Sequence, residues 1–460
     1  MQRSYLDEPV PIVAAATPPG ESALAVIRAA GPGCLALAAR CFSRPRALLE
    51  APGHSSVYGR LVEPSSGAIV DEVLVSVFRA PRSPTGEDGV EFSCHGSPAV
   101  VRKALGLLEA AGFAPALPGE FSFRAFLHGK TDLVRAEAVA ELIRSAADAA
   151  RAEAIRRLEG GLSARIGRAR AELLAVLAEV QVRLDFDEDQ GAPEAELDES
   201  ALARVAESLA ALSDSYAFGR LYAEGARVVV AGRPNAGKSS LFNLMLREER
   251  SIVSHEPGTT RDWIEAGLEV EGLPVRLIDT AGLREAGAAA EAEGVSRSRR
   301  LLAQADAVIY LVDGVTGLAP EDEAFLSSYA GKGLVPAWNK VDHPSCRAAP
   351  EGFVALSARS GAGLQALASA LARAILSAAG AADAGLREDE VRVASLRQKG
   401  LLDRALQSIR EAQAGLSAGA PLDALSLDIG AAADALGEIT GEISSAEILE
   451  AIFSGFCLGK

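Results

Sequence analysis

The run Gly232-Arg233-Pro234-Asn235-Ala236-Gly237-Lys238-Ser239 has the residue types and spacing of a P-loop, a turn that cradles phosphates. Its glycines let backbone N–H groups turn inward onto phosphate oxygens, Lys238 reaches the β- and γ-phosphates, and the Ser239 hydroxyl ligates Mg²⁺. Such a loop needs a strand before it and a helix after it. The apolar run 227–231 and the stretch Ser240-Leu-Phe-Asn-Leu-Met supply both. Three more stretches follow apolar runs in the same way. Asp279-Thr280-Ala281-Gly282 comes after 275–278; Asp279 would hold Mg²⁺ through water and the Gly282 amide would sense the γ-phosphate, although alone it reads equally as a turn after a strand. Asn339-Lys340-Val341-Asp342 comes after 334–337. A carboxylate at Asp342 accepts both the ring N–H and the amino group of guanine, where adenine offers a repelling acceptor. Each misplaced buried polar group costs about 1–3 kcal/mol, so guanine is preferred. Ser357-Ala358-Arg359 comes after 353–356, and the Ala358 amide suits the guanine carbonyl. Four elements in this order, each at a strand end, point to GTP.

Two details bear on hydrolysis. Leu283 follows Asp-Thr-Ala-Gly, where many small GTPases place a water-orienting Gln. Leu cannot orient a water, so either another group does or hydrolysis is slow; the carboxylate favoured is Glu291, whose alternative role is a solvated surface charge. In Gly258-Thr259-Thr260-Arg261-Asp262, Thr260 is the expected second Mg²⁺ ligand. Arg261 and Arg284 are better suited to surface salt bridges than to serving as an arginine finger.

The elements that must hold these residues show three textures. Residues 1–127 mix short apolar runs (10–16, 23–27, 73–78) with Pro and Gly breaks, as in a small α/β or α+β unit. Residues 128–223 are rich in Ala, Leu, Arg and Glu, with Leu173, Leu174, Val176, Leu177 and Val180 at helical spacing. From 224 to 382, strand-like runs at 227–231, 275–278, 307–312, 334–337 and 353–356 alternate with helical ones, which implies a doubly wound, mostly parallel sheet. Helical texture returns over 383–460. The simplest organisation is a helical domain in two pieces with the P-loop domain inserted between them; four domains in a row is the alternative.

Composition removes other classes. Hydrophobic residues at 49% and charged ones at 23% are a globular balance, and aromatics at 5% leave the cores to Leu, Val, Ile and Ala. A net charge of −16 does not suit a general nucleic-acid coat. The five cysteines (34, 41, 94, 346, 457) contain no C-x-x-C pair and the five histidines no ligand spacing, against a disulfide framework or structural zinc. No leader-like apolar core opens the chain and no stretch of 18 apolar residues is free of charge, so a cytoplasmic location is expected. The segment 151–170 carries six arginines, a candidate basic face; the alternative is a solvated helix face interleaved with Glu153 and Glu159.

Taken whole, the chain resembles the MnmE (TrmE) family of bacterial tRNA-modification GTPases. The resemblance rests on the GTPase motifs and on both ends. Near the start are Ala16-Thr-Pro-Pro-Gly20 with Arg28, Thr85-Gly-Glu-Asp88 to Glu91, His95-Gly96, Pro118-Gly-Glu-Phe121 through Arg124 to Lys130, Asp132-Leu133 and Ala136-Glu-Ala138; the chain closes on Phe456-Cys457-Leu458-Gly459-Lys460. It implies a homodimer with an N-terminal folate-binding and dimerisation domain, a discontinuous helical domain and an inserted G domain. It also implies an FAD-dependent partner subunit in a heterotetramer. Together the two would place an aminomethyl or carboxymethylaminomethyl group on carbon five of the wobble uridine of certain tRNAs, with the one-carbon unit from a tetrahydrofolate derivative (5,10-methylene or 5-formyl). In the family the G domains dimerise on GTP and K⁺ replaces the arginine finger. On this chain that puts Asn235, Ser254, Glu256 and Thr259 around K⁺, and Glu291 on the attacking water. The nucleotide contacts would run over 235–240, Ser254, Gly258, Thr259, Thr260, 279–282, Asn339, Lys340, Asp342 and 357–359. Arg28, Glu91, Lys130 and Lys460 match folate-contacting positions, and Cys457 a position needed for modification; a free thiol is its plainer reading. Departures are His128 where Asn is usual and Glu256 where an apolar residue is common. Two rivals are a regulatory GTPase of ribosome assembly without one-carbon chemistry, and a folate-dependent transferase with a purely structural G domain.

Overall fold

The computed structural model describes residues 3–145, 147–185, 199–248, 264–279, 300–329, 333–380 and 391–459. They pack into two compact units, Met1–Ala140 with Gly437–Lys460, and Glu141–Leu436.

The first unit is built on a six-stranded sheet: β1 (Ile12–Ala15), β2 (Ser22–Ala30), β3 (Ser55–Val62), β4 (Ile69–Phe78), β5 (Gly89–Gly96) and β6 (Ala114–Pro115), in the order β3-β4-β5-β2-β1-β6. All neighbours are antiparallel except β1 and β6. Alternation assigns the faces. Val73, Val75, Val77, Phe92 and Cys94 point into a core shared with the helices Cys34–Arg40 and Pro98–Ala111, while Tyr58 and Leu74 stand on the other face. The apolar runs expected at 10–16, 23–27 and 73–78 are strands; the first is shorter than its run, the second longer at both ends, and the third starts earlier, at Ile69.

The second unit contains a six-stranded sheet of β7 (Ala226–Ala231), β8 (Ile264–Val270), β9 (Leu273–Asp279), β10 (Ala307–Asp313), β11 (Leu334–Asn339) and β12 (Val354–Ala355). Its order is β12-β11-β10-β7-β9-β8, parallel throughout except for the edge strand β8. Both faces are covered, so β7 and β10 read as nearly unbroken apolar runs. The helix Lys238–Glu248 packs Leu241, Phe242 and Met245 on one face beside the helix Leu364–Ala378, and Trp338, Tyr310 and Val312 close the other. All five expected strands are present; β8 has no counterpart among them.

Of the helices that make up the rest of the unit, Asp148–Leu158 and Tyr216–Glu224 touch β9, while Gly161–Asp185, Glu199–Asp214 and Leu396–Ser417 pack on one another; Leu422–Thr440 follows them in the chain. Along Gly161–Asp185 the buried residues are Leu162, Ile166, Ala169, Leu173, Val176 and Val180, spaced by threes and fours. Leu174, placed on the same stripe from sequence, is turned to solvent instead. In the basic stretch 151–170, Arg151, Glu159 and Arg168 are exposed, but two of its charged residues depart from a surface role. Arg157 and Glu153 are almost fully buried, with Arg157 bonded to Glu141 and Glu153 to Arg392, and Arg157 Nη1 donates to the Arg392 carbonyl at 3.3 Å. Arg392 lies over the Phe218 ring at 4.8 Å. Charge periodicity could not reveal this, because a buried ion pair and a solvated one have the same spelling.

Candidate functional site

The C-terminal ends of β7, β9, β10, β11 and β12 share one edge of the second sheet, where open α/β sheets bind ligands. β7 ends at Ala231 and the helix starts at Lys238, with residues 232–237 between them. Gly232 and Gly237 have φ of +138° and +102°, open to glycine and strained for other residues. A Cβ on Gly232 would strike the Leu311 carbonyl, and one on Gly237 the Asn339 side chain, so the close approach of this loop to β10 and β11 requires both. Asn235 takes φ +63° and is exposed. Lys238 Nζ donates to the Gly232 and Arg233 carbonyls, each at 2.9 Å. The Ser239 hydroxyl donates to Asp279 Oδ2 at 3.1 Å, joining the loop to the buried end of β9. A hydroxyl and a carboxylate together are hard oxygen donors, a set that suits Mg²⁺. Ala236 is buried beneath the loop and Ser240 exposed beyond it.

The base-reading loops are tied to the phosphate loop by one side chain. Asn339, 2% exposed, donates from Nδ2 to the Ala236 carbonyl at 2.7 Å and accepts the Ala358 N–H on Oδ1 at 2.8 Å. Asp342 is exposed, and its Oδ1 accepts the Ser357 hydroxyl at 2.6 Å. That bond, ahead of smaller effects including the nearby Arg359, holds the Asp342 carboxyl below the usual carboxylate range. Ser357 Oγ in turn accepts the N–H groups of Ser360 at 3.1 Å and Arg359 at 3.3 Å. Lys340 has φ +70° and its ammonium donates to Asp313 Oδ2 at 2.7 Å. Asp313 went unnoticed in the sequence, although a carboxylate closing the apolar run 307–312 was a readable signal.

The first unit brings a second group together. Arg28 and Glu91 face each other across β2 and β5, with Nε donating to Oε1 at 2.8 Å. The guanidinium also donates to the Gly459 carbonyl at 3.2 Å and lies over Phe121 at 5.7 Å. The Gly119 N–H donates to the Cys457 carbonyl at 3.3 Å, so Cys457, itself exposed, is held at the start of the helix Glu120–Leu127. The helix Ala446–Ser454 anchors this tail through fully buried Phe453, stacked edge-on against Phe123 at 5.5 Å. Behind it, Arg124 donates to Glu120 Oε1 at 2.8 Å, to the Val10 carbonyl at 2.7 Å and to Glu87 Oε2 at 3.2 Å. The stretches around 85–88 and 118–124 thus form a buried ion cluster that fixes the helix Glu120–Leu127. Lys130 is exposed beyond that helix. A half-buried guanidinium and carboxylate fit a ligand with carboxylate and N–H groups, as a folate has.

Ser254, Glu256, Gly258, Thr259, Thr260, Thr280, Ala281, Gly282, Glu291 and Lys460 lie outside the described residues. Among the described residues, no group of three or more His, Cys, Asp or Glu is placed to hold a metal ion, and no helix is long and apolar enough to cross a membrane.

A family model for the TrmE N-terminus of a GTP-binding protein matches residues 11–130, and one for the MnmE helical domain matches 133–457. The chain belongs to the MnmE family. Relatives named tRNA modification GTPase MnmE agree along almost the whole length. That of Treponema denticola is 40% identical, covering 98% of both chains. Those of Chlorobium phaeobacteroides and Moorella thermoacetica are each 41% identical, over 98% of this chain and 97% and 99% of theirs. MnmE family membership thus extends over both described units, the sheet edge with its phosphate loop and the paired ends near Arg28 alike.

Proposed function

We propose that this chain is a GTP-hydrolysing, K⁺-activated subunit of a complex that adds a carboxymethylaminomethyl or aminomethyl group to carbon five of the wobble uridine of certain tRNAs. The observation that carries the GTP part is the pair of hydrogen bonds made by the Asn339 side chain, which lock the phosphate loop to the loop bearing Ala358, beside an Asp342 carboxylate that accepts the Ser357 hydroxyl. Phosphate grip and base reading are therefore set at a fixed separation before nucleotide arrives.

In this reading residues 224–382 form the inserted G domain, 128–223 and 383–460 the helical domain, and 1–127 the folate-binding and dimerisation domain. Backbone N–H groups of 235–240 and the Lys238 ammonium grip the phosphates, Asp342 and the Ala358 amide read guanine, and Glu291 orients the water. Ser239 and Thr260 would hold Mg²⁺, with Asp279 behind them. Asn235, Ser254, Glu256 and Thr259 would hold K⁺, of which only Asn235 is described, an exposed amide at the bend of the loop. The two cations, when bound, neutralise charge developing between the phosphates, K⁺ taking the place of an arginine finger. Arg28, Glu91, Lys130 and Lys460 would bind a tetrahydrofolate derivative, with Cys457 beside it. The partners are a second copy of the chain, an FAD-dependent subunit and tRNA, in the cytoplasm.

Two measurements test this. GTP turnover is expected to be at least about tenfold faster in KCl than in NaCl, as for a missing transition-state charge; equal rates remove the K⁺ assignment. Wobble nucleosides in tRNA from cells lacking the protein should lose the carbon-five substituent. Unchanged nucleosides would leave a GTPase of another process, such as ribosome assembly.

A further inference from the structure

The base-reading loop contains a lysine held by a residue outside every motif. β10 ends in Asp313, which is in register with Asn339 of β11. The next residue on that side, Lys340, adopts φ +70°, a left-handed conformation that non-glycine residues enter at a cost. Its Nζ donates to Asp313 Oδ2 at 2.7 Å. The carboxylate is itself fixed, since Oδ1 accepts the Val315 N–H at 2.9 Å and the Asp313 carbonyl accepts the Gly317 N–H at 2.9 Å. The side chains are 15% and 36% exposed, so solvent screens this pair less than a surface one.

We propose that Asp313 is a positioning residue for guanine recognition: it anchors Lys340 so that the turn from Asn339 to Asp342 is already set when the base enters. The proposal rests on reading Asp342 as the guanine acceptor. An untethered lysine has a long mobile stem that nucleotide binding would have to order, and the ion pair orders it beforehand. The contact lies with the base-reading loops and involves none of the phosphate-gripping residues. It therefore acts on affinity for GTP and GDP alike and leaves the hydrolytic step alone.

The test uses the full-length chain, with KM and kcat for GTP and Kd for GDP. Asp313→Asn is expected to raise KM and Kd together by about tenfold, the scale of one charge-assisted hydrogen bond, at unchanged kcat. Lys340→Met should raise them at least as far, and the double variant no further than Lys340→Met alone, since Asp313 acts only through Lys340. Unchanged affinities in Asp313→Asn, a fall in kcat at constant KM, or fully additive losses in the double variant would each overturn the proposal. Where Asp313→Asn fails to fold, Asp313→Glu decides: a longer carboxylate that displaces the Lys340 ammonium should raise KM and Kd in the same direction, and normal values sink the idea. Wild-type protein with no affinity for guanine nucleotides would instead defeat the functional reading on which the proposal stands.

Discussion

The two candidate sites are assembled in opposite ways. At the sheet edge of the second unit, each functional stretch is a few consecutive residues at the end of a parallel strand, and strand register alone places 232–239, 279, 313, 339–342 and 357–359 on one rim. In the first unit, the site joins residues 431 positions apart, with Arg28 bonded to Gly459. The first site is inherited from the fold. The second is completed by a short tail, docked by Phe453, Phe456 and the Gly119 N–H, that brings the Gly459 carbonyl to the strand pair Arg28–Glu91. Tail docking makes the second site the one that local changes can dismantle without touching the other.

The largest expected effect tests that independence directly. Lys238→Ala should lower GTP turnover by on the order of a thousandfold, because the ammonium meets charge that develops in the transition state. Folate binding, followed by calorimetry, should be unchanged. Conversely, Arg28→Ala should weaken folate by roughly tenfold or more, as expected for loss of a charge-assisted contact, and leave GTP turnover intact. Loss of both activities in either variant would break the comparison and require the sites to share structural support.

The same contrast explains what the sequence disclosed. The phosphate loop, Asn339, Asp342 and Ala358 were legible because each needs only its neighbours, a strand before it and a turn after it. The doubly wound sheet was legible for the same reason, through unbroken apolar runs such as 307–312. Asp313 was readable as a carboxylate at a strand end but not in its role, which is set by Lys340 across a strand pair rather than along the chain. Arg28 and Glu91 came into view only through a family resemblance, since nothing in their spacing announces a cross-strand ion pair. Arg157 and Glu153 read as surface charge for the corresponding reason: burial is decided by what packs over a helix, not by its own sequence.

A smaller effect should come from Gly119→Ala. Gly119 has φ +67°, and a Cβ there would approach the Phe456 Cβ to 2.9 Å. Backbone strain and this clash together cost on the order of 1–3 kcal/mol, concentrated where the tail docks. Amide hydrogen exchange over 453–459 should quicken, with folate affinity falling in the same direction as in Arg28→Ala and GTP turnover unaffected. Unaltered exchange in the tail would mean that Gly119 does not hold it, and that the second site is less dependent on docking than the geometry implies.

The smallest effect sharpens the other side of the comparison, the prebuilt character of the guanine-reading edge. The Ser357 hydroxyl is the main reason the Asp342 carboxyl lies below the usual carboxylate range. A carboxyl held low in the folded protein is ionised throughout the neutral range and into mild acid. Its contribution is present above the ordinary value and is lost only as pH falls through the lowered one. Guanine recognition needs the ionised form, so wild-type affinity for GDP should stay level on acidification until below about pH 4. Ser357→Ala removes the donor and lets Asp342 rise toward its ordinary value, which moves the acid limb of the binding curve to higher pH, measured relative to each protein's own affinity at pH 7 because the same hydroxyl also accepts the Arg359 and Ser360 N–H groups. The titration to run is Kd for GDP between pH 7 and about pH 3 in both proteins, so that it spans the ordinary carboxylate value. Superimposable curves would show that the carboxylate is ionised without help from Ser357, and that this edge is less finished in advance than its hydrogen bonds indicate.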